Sequence, residues 1–544
     1  MKTKYYLLLL LTFIIETGSC HKEAKVTSDT LTSAINNNIY INPRNEFQTI
    51  DGFGASDAWR CQFVGKNWPI DKRNAIADLL FSRDLNSDGS PKGIGLSIWR
   101  FNIGAGSSEQ GDASGIPNVW RRAECFLNAD GTYDWTKQTG QVWFLKAAQQ
   151  RGVEKFLGFN ISAPVFYTAN GKAYAPAGGV LNLKPDKMSA YADFLVNVMD
   201  HFSKQEGITF DYLSPINEPQ WDWTGNGQEG TPVTNAEAKS LVTLISQGIT
   251  SKAITTKIVL SESGNLQSLY STKVANRSNH IYEFFNPVSP NYIGNLPNVL
   301  PMLLAHSYFT TADIPTLVSV RKSLAAAIQA ASTPIGFWQS EFCILENTAD
   351  IGGGWNRDLT INTALYVAKV IHHDLAIANA RSWAWWTALS EFDYKDGLIF
   401  LDNGNNGIRT GTEADATILK SDGYYRESKL LWALGNFSRF IRPGMIRVDA
   451  GFSVPIGDQL VAENLMLSAY KNPTNKQLVI VFVNYTTNAR SLNIGGLGTD
   501  LVIKNNMFYS YTTSETQSLA KGTMDASKLI IQPRSIVTLV GTYL

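Results

Sequence analysis

The sequence predicts an α/β fold: a closed (β/α)8 TIM barrel with a fused C-terminal β-sandwich. Between residues 49 and 435, short apolar runs alternate with amphipathic stretches, as parallel strands joined by helices do. After residue 435 the strands come close together and their turns carry Asn, Gly, Thr and Ser, which is typical of a β-sandwich. A chain of 544 residues with 44% hydrophobic content is long enough for both domains. A doubly wound open sheet is the alternative, but no glycine-rich phosphate loop follows the first predicted strand.

The N-terminal residues predict export. Residues 1–20 combine a basic start, a short apolar run and a small-residue cleavage site that ends at Cys20, which is the pattern of a lipoprotein-type signal peptide. We expect secretion across the inner membrane and lipidation of Cys20, so that the mature protein is held in the bacterial cell envelope only by this anchor. An ordinary cleaved signal peptide is the alternative. No later segment is long and apolar enough to span a bilayer.

Two short segments connect this leader to the barrel. Residues 21–38 are rich in Ser, Thr, Asn and Lys, which predicts a flexible tether. Residues 39–48 contain a short apolar run, and we expect it to form an N-terminal strand that joins the β-sandwich. Such a strand would bring the N-terminal part of the chain into contact with the C-terminal domain.

Eight short apolar runs supply the strands of the barrel. They are Ile50–Ser56, Gly95–Asn102, Lys155–Asn160, Asp211–Asn217, Lys257–Ser261, Leu303–His306, Ile335–Glu341 and Arg381–Trp386. The helices predicted between them include Thr139–Arg151, Lys187–Lys204, Asn235–Ala253, Thr316–Ala330 and Thr360–Ala378. The active sites of such barrels lie at the face where the C-terminal ends of the strands meet.

The β-sandwich is predicted over residues 436–544. Its candidate strands are Leu460–Tyr470, Gln477–Tyr485, Leu492–Ile494, Met507–Thr512 and Leu529–Val540. We expect this domain to cover the apolar flank of the barrel.

The charge balance and the cysteines exclude several classes of function. Lys+Arg and Asp+Glu both number 47, so the net charge is zero, which argues against nucleic acid or an anionic membrane as the main partner. Apart from Cys20, the chain has Cys61, Cys125 and Cys343, which lack the spacing of metal ligands. We expect at most one disulfide, Cys61–Cys125, and neither a metal nor another cofactor.

Two carboxylates carry the predicted chemistry. Glu218 ends the fourth candidate strand and Glu341 ends the seventh, so both reach the active face of the barrel. Asn217 directly precedes Glu218, and Trp221 lies three residues after Glu218. Paired carboxylates cleave glycosidic bonds when one protonates the leaving oxygen and the other attacks the anomeric carbon. A capping acid with aromatic neighbours in the core is the alternative for the first stretch alone, and the second carboxylate favours catalysis.

Five motifs make the chain resemble glycoside hydrolase family 30 from Phe47 to the C-terminus. They are Asp51–Trp59, Gly95–Gly104, Pro215–Pro219, Trp338–Phe342 and Phe437–Gly444. The resemblance implies a retaining mechanism, a barrel fused to a β-sandwich and no metal in the chemistry. It also implies that Glu218 is the acid/base, that Glu341 is the nucleophile and that Asn217 binds the 2-hydroxyl of the sugar.

Within this family, the stretch from Gly54 to Trp59 resembles the endo-β-1,6-galactanase branch. This resemblance implies a polysaccharide substrate, the β-1,6-galactan side chains of arabinogalactan-type polysaccharides. We expect the protein to be a monomer. Residues 160–171 depart from the family pattern, because Ala163-Pro164 and Phe166-Tyr167 stand where many relatives have Ser-Pro-Pro and Trp-Met. Action on β-1,6-glucan or xylan therefore stays open, as does a non-catalytic glycan-binding lipoprotein.

Further rim positions are candidates for substrate binding. Beside Asn217 they are Asp57, Trp59, Arg100, Asn160, Trp221, Glu262, His306, Tyr308 and Trp386. We expect Arg100 to pair with Glu341 and keep it ionised, since a nearby cation lowers the pKa of a carboxylate. A structural salt bridge lower in the barrel is the alternative for Arg100. Glu262 is expected either to support the nucleophile or to cap a helix.

Overall fold

The computed structural model describes residues 38–404, 417–495 and 502–544. The predicted signal peptide, the predicted lipidation site Cys20 and all but the last residue of the predicted tether lie outside these residues. No helix in the described ranges is both long and apolar enough to cross a membrane. The first strand, β1, spans Asn38–Thr49.

Eight parallel strands close into a barrel, which confirms the predicted fold class. The strands are β2 Gly52–Ser56, β3 Ile98–Ile103, β4 Lys155–Asn160, β5 Tyr212–Ser214, β6 Lys257–Ser263, β7 Val299–His306, β8 Gly336–Glu341 and β9 Ser382–Trp385. Each strand pairs with the next along the chain, and β2 pairs with β9 to complete the ring. Most of these residues are buried because helices cover the outside of the barrel.

The fourth barrel strand is shorter than the sequence predicts. The prediction runs from Asp211 to Asn217, whereas β5 ends at Ser214. Pro215 follows directly, and a proline has no N–H with which to continue a ladder of hydrogen bonds. Asn217 and Glu218 therefore lie on a turn beyond the strand rather than on the strand itself.

Four of the α-helices in the described ranges begin at a capping side chain, namely Thr234, Asp313, Thr360 and Ser428. Thr234 forms a capping box with Glu237, and Asp313 accepts a hydrogen bond from the N–H of Thr316. The helices are Cys61–Asn67, Ile70–Phe81, Thr139–Gln150, Met188–Gln205, Asn235–Lys252, Gln267–Tyr270, His280–Phe285, Ile314–Gln329, Ile361–Ala376, Lys429–Ser438 and Asp458–Glu463.

A small sheet of three strands follows the barrel in the chain. It consists of β10 Thr387–Ser390, β11 Gly397–Asp402 and β12 Tyr424–Glu427, with β11 in the middle.

The C-terminal domain is one hydrogen-bonded sheet of nine strands, and β1 belongs to it. Its other strands are β13 Ile446–Phe452, β14 Leu465–Lys471, β15 Gln477–Asn484, β16 Arg490–Ile494, β17 Met507–Thr513, β18 Ala520–Asp525, β19 Leu529–Ile531 and β20 Ser535–Thr542. The strand order is β18-β17-β20-β15-β14-β13-β1-β16-β19. Strands from both ends contribute to one apolar cluster, so the sheet curls around its own core as a sandwich does.

The helix Lys429–Ser438 joins the barrel to this sheet. Asn436 donates hydrogen bonds to the carbonyl oxygen of Tyr511 at 2.9 Å and to the hydroxyl of Thr538 at 3.0 Å. A side chain at Gly435 would lie 2.8 Å from Ile94, so the helix backbone touches the barrel directly. The two domains therefore share a buried interface.

The expected disulfide is not formed. Cys61, Cys125 and Cys343 are buried free cysteines, so the expectation of a Cys61–Cys125 bridge is wrong. All three pack as small apolar side chains in the barrel core. Burial raises the pKa of each thiol, which keeps the sulfurs protonated and unreactive.

Candidate active site

Glu218 and Glu341 reach the mouth of the barrel by different routes. Glu341 is the last residue of β8, whereas Glu218 lies on the turn after β5. Glu218 has a left-handed backbone with φ of 45°, and Glu262 on β6 has φ of 46°. The N–H of Glu218 donates to the carbonyl oxygen of Glu262 at 2.8 Å. This bond ties the turn to β6 and aims the Glu218 carboxylate inward.

The two carboxylates meet beside one imidazole. His306 Nδ1 lies 2.8 Å from Oε1 of Glu218 and 3.6 Å from Oε1 of Glu341. One oxygen of Glu218 lies within 4.8 Å of one oxygen of Glu341. Both side chains are at least nine-tenths buried, so the pair forms a closely spaced, largely dehydrated acidic centre.

Glu262 supports this acidic centre through two cations, His306 and Arg100. His306 Nε2 lies 3.0 Å from Oε2 of Glu262, and Arg100 donates to Oε1 of Glu262 at 3.2 Å. Arg100 also donates to Oε2 of Glu341 at 3.2 Å. The side chains therefore form a chain of alternating charge in the order Glu218, His306, Glu262, Arg100, Glu341. Glu262 supports the nucleophile side of the site and does not cap a helix.

The pKa values follow from burial and from this alternation. Burial would raise the pKa of Glu262, but Arg100 and His306 outweigh it and lower the pKa to about 2. Burial would lower the pKa of His306, but Glu341, Glu218 and Glu262 raise it to about 10. His306 is therefore an imidazolium at neutral pH.

The pKa of Glu341 differs from the expected one. Arg100 does pair with it, yet its pKa is raised, because burial and the carboxylates of Glu218 and Glu262 outweigh the cations of His306 and Arg100. The expectation of a low pKa for Glu341 is therefore wrong for the site without substrate.

Tyr308 completes the support of Glu341. Its hydroxyl donates to Oε1 of Glu341 at 3.0 Å, while Arg100 holds Oε2. Burial raises the pKa of Tyr308 well above its usual value, so the hydroxyl stays neutral and remains a donor. With both oxygens held, the Glu341 carboxylate has one orientation.

Several polar atoms at this end of the barrel have no protein partner. Within the described ranges, these buried atoms are Oδ2 of Asp57, Nε1 of Trp59, both amide atoms of Asn102 and Oδ1 of Asn217. The other oxygen of Asp57 accepts the N–H of Asn102 at 2.8 Å. Unpaired buried polar groups are costly unless a ligand satisfies them.

Comparison with known proteins identifies the family. A model of O-glycosyl hydrolase family 30 matches residues 36–400. The chain belongs to O-glycosyl hydrolase family 30. A conserved exported protein from Bacteroides fragilis is 36% identical, with a TM-score of 0.86 over 92% of this chain and 100% of that one. The family 30 membership expected from the motifs is therefore confirmed.

More distant solved structures share the fold. Xylanase C of family 30 from Talaromyces cellulolyticus is 22% identical, with a TM-score of 0.63 over 93% of this chain and 100% of the other. An endo-beta1,6-glucanase is 16% identical, with a TM-score of 0.61 over 93% of this chain and 94% of the other. Both have the barrel with a C-terminal β domain that this family 30 chain has.

Of the tryptophan candidates of this family 30 site, two are buried and one lies exposed at the rim. Trp59 and Trp386 pack edge to face, 5.5 Å between ring centroids, and both are buried. Trp221 lies at the rim, 36% exposed, and its N–H donates to the carbonyl oxygen of Glu218 at 3.2 Å. Phe309, which the sequence analysis missed, is 6.0 Å from Trp221. Its position directly after Tyr308 was the available signal.

Asn160 has a structural role, contrary to the expectation. Its amide nitrogen donates to the carbonyl oxygen of Ile103 at 2.6 Å, and its amide oxygen accepts the hydroxyl of Tyr191. Asn160 therefore fastens the ends of β3 and β4 together. Ser340 was missed as well: its hydroxyl donates to Glu262, and its position next to Glu341 was the available signal.

Glu218, His306 and Glu341 also offer three atoms with the spacing of metal ligands. A metal ion requires a lone pair on the imidazole, but both nitrogens of His306 face carboxylates. Because its pKa is raised to about 10, the ring holds both protons. The arrangement favours acid–base and nucleophilic chemistry.

Proposed function

We propose that the protein is a retaining endo-β-1,6-galactanase, which hydrolyses the β-1,6-galactan side chains of arabinogalactan-type polysaccharide by double displacement. The observation that carries the mechanism is the short separation of Glu218 and Glu341. One carboxylate oxygen of Glu218 lies within 4.8 Å of one carboxylate oxygen of Glu341. Retaining enzymes hold their two carboxyl groups about 5–5.5 Å apart, and inverting enzymes hold them about 6.5–9.5 Å apart. The close spacing supports retention.

In the first step, Oε2 or Oε1 of Glu341 attacks the anomeric carbon, and Glu218 gives its proton to the glycosidic oxygen. The bond between that oxygen and the anomeric carbon breaks, which leaves a glycosyl ester on Glu341. Arg100 and Tyr308 hold Glu341 in place before attack. The imidazolium of His306 stabilises the carboxylate that Glu218 becomes.

In the second step, Glu218 takes a proton from a water molecule, and the water oxygen attacks the anomeric carbon. The ester bond breaks and Glu341 returns as a carboxylate, so the sugar leaves with its original configuration. We expect Asn217, whose Oδ1 has no protein partner, to bind the 2-hydroxyl of the sugar through both steps.

The motif from Gly54 to Trp59 supports galactan as the substrate. The departure at residues 160–171 and the similarity to a xylanase and to an endo-beta1,6-glucanase make xylan and β-1,6-glucan the substrates to compare. A glycan-binding protein without activity would have no need of two carboxylates that are buried, close together and paired with cations.

The test is digestion of defined β-1,6-galactan, β-1,6-glucan and xylan, with products followed by mass and by NMR of the anomeric configuration. We expect oligosaccharides from the galactan and initial formation of the β-anomer. Glu341→Gln should abolish turnover, because the amide cannot attack, while circular dichroism shows an intact fold. Initial formation of the α-anomer or normal activity of Glu341→Gln would refute the mechanism, and preferential cleavage of another glycan would correct the substrate.

We also propose that the protein is exported, anchored to the cell envelope through Cys20 and monomeric. The leader of residues 1–20 supports this. In a cell fractionation, Cys20→Ser should move the protein from the membrane to the soluble fraction. An unchanged distribution would contradict the anchor, and the mass in solution by light scattering tests the monomer.

A further inference from the structure

Two tryptophans at the barrel mouth are exposed. All 14 tryptophans of the chain lie within the described residues, and among them only Trp221 and Trp355 are exposed, at 36% and 71%. Trp221 belongs to the rim beside Glu218. Trp355 has no part in the proposed chemistry, yet an indole is the side chain best suited to stack on a sugar ring.

The loop after β8 places Trp355 at the rim on the side of Glu341. Ile344 is three residues beyond Glu341, and a methyl group on Gly354 would lie 2.3 Å from its carbonyl oxygen. The loop therefore folds back against the end of β8, with no room for a side chain at the contact. Trp355 pairs through its backbone with Tyr394, on the segment between β10 and β11.

Trp355 is held firmly although it is exposed. Lys395 Nζ donates to its carbonyl oxygen at 2.9 Å and to that of Gly353 at 2.6 Å. The ring of Tyr394 packs against the indole at 82°, with 5.4 Å between centroids. This edge contact leaves an indole face uncovered. A ligand would find the platform already ordered, which reduces the entropy lost on binding.

We propose that Trp355, supported by Tyr394 and Lys395, forms a sugar-binding subsite that stacks on a unit of the bound polysaccharide beyond the cleaved bond. The inference rests on the proposed function and deepens it. Aromatic surfaces then flank the carboxylate pair, Trp221 with Phe309 on the side of Glu218 and Trp355 on the side of Glu341. An enzyme that cuts inside a chain needs binding surface on both sides of the cleaved bond.

The chemistry of this subsite fits a neutral sugar. The amine of Lys395 donates to two carbonyl oxygens and the residue is only 9% exposed, so the exposed part of the platform is the apolar indole. The apolar C–H face of a pyranose unit matches such a surface, and stacking there depends on shape rather than on ionic strength.

The test measures how hydrolysis depends on substrate length. The substrates are β-1,6-linked galacto-oligosaccharides of two to six units, with β-1,6-gluco- and xylo-oligosaccharides in parallel. For the wild type, kcat/KM should rise with length. In Trp355→Ala the loss should grow with length to about ten-fold, equivalent to about 1.4 kcal/mol, and Trp355→Phe should recover most of it. Tyr509→Ala, which removes a ring 57% exposed in the C-terminal sheet, is the matched control and should keep the wild-type profile.

The outcomes test the proposed subsite and the proposed hydrolase activity separately. A wild-type length profile in a folded Trp355→Ala variant would overturn the subsite and leave the proposed function standing. If the wild type hydrolyses none of these substrates, the proposed function fails. Affinity electrophoresis in gels with the three polysaccharides then decides the subsite: slower migration that Trp355→Ala abolishes supports it, and unretarded migration of the wild type overturns it.

Discussion

At the residue scale, the central feature is the buried carboxylate of Glu262. It pairs with His306 and Arg100, each of which also contacts one member of the Glu218 and Glu341 pair. Two cations between three anions leave the five side chains with one net negative charge when all are ionised. Glu262 therefore holds in place the two cations that contact Glu218 and Glu341.

Glu218→Ala tests the acid role. An alanine cannot protonate a leaving oxygen, so we expect kcat/KM to fall about 10²- to 10⁴-fold on the polysaccharide, the scale of general acid catalysis. The loss should be far smaller on an activated aryl glycoside, whose leaving group departs without a proton. Equal losses on the two substrates would count against the acid role, and Asp222→Ala, which alters a neighbouring exposed acid, serves as the control.

Glu262→Gln tests the charge chain through the pH dependence of stability. The pKa of His306 is about 10 in the folded protein and about 6.5 in the unfolded chain. Its contribution to stability is therefore complete below pH 6.5 and is lost as pH rises from 6.5 to 10. Removing the charge of Glu262 lowers the pKa of His306, so the variant should lose less stability over that range than the wild type does. Urea unfolding at pH 6.5, 8 and 9.5 measures the slopes, and parallel slopes would contradict this account.

At the element scale, the sequence predicted the alternation of strands and helices but not every element end. Eight runs of apolar residues were enough for the barrel, and the carboxylates at the ends of two of them located the site. Pro215 marked the end of β5, yet Asn217 was still assigned to that strand. The turn that carries Glu218 depends on a hydrogen bond to Glu262, 44 residues away in the chain. Sequence spacing cannot show such a contact.

The errors at Asn160 and Cys61 have a common physical cause. Asn160 ends β4 as expected, but its amide is occupied by Ile103 and Tyr191. Cys61 begins a helix and packs, like Cys125, as a free thiol in the barrel core. Position along the chain identifies which residues reach the rim, whereas tertiary packing decides which of their atoms stay free.

The helices Cys61–Asn67 and Thr139–Gln150 touch backbone to backbone, and Gly140→Ala tests this contact. A methyl group there would lie 1.8 Å from the carbonyl oxygen of Gln62, so the helices must separate. We expect a loss of about 1–3 kcal/mol in the free energy of unfolding, typical of overpacking. Gly225→Ala is the control, because its methyl group would meet nothing within 4 Å. Urea unfolding that gives the two variants equal stability would show that the contact relaxes without cost.

At the scale of the whole molecule, β1 links the start of the barrel to the C-terminal domain. It lies between β13 and β16 in the nine-stranded sheet, and the chain enters β2 only a few residues later. The helix Lys429–Ser438 forms a second link, since Asn436 bonds to the sheet while Gly435 touches the barrel. Two buried connections of this kind predict that the domains unfold together.

Ile39→Ala tests that cooperativity. Ile39 is fully buried in the core of the C-terminal sheet, away from the carboxylates of the barrel. Its truncation should lower the free energy of unfolding by about 2–5 kcal/mol. Because the domains are expected to unfold as one unit, the temperature at which hydrolytic activity is lost should fall with the calorimetric Tm. Thr49→Ala, an exposed position of the same strand, should leave both temperatures in place. Two separate calorimetric transitions, with activity lost only at the second, would show that the barrel stands without its C-terminal sheet.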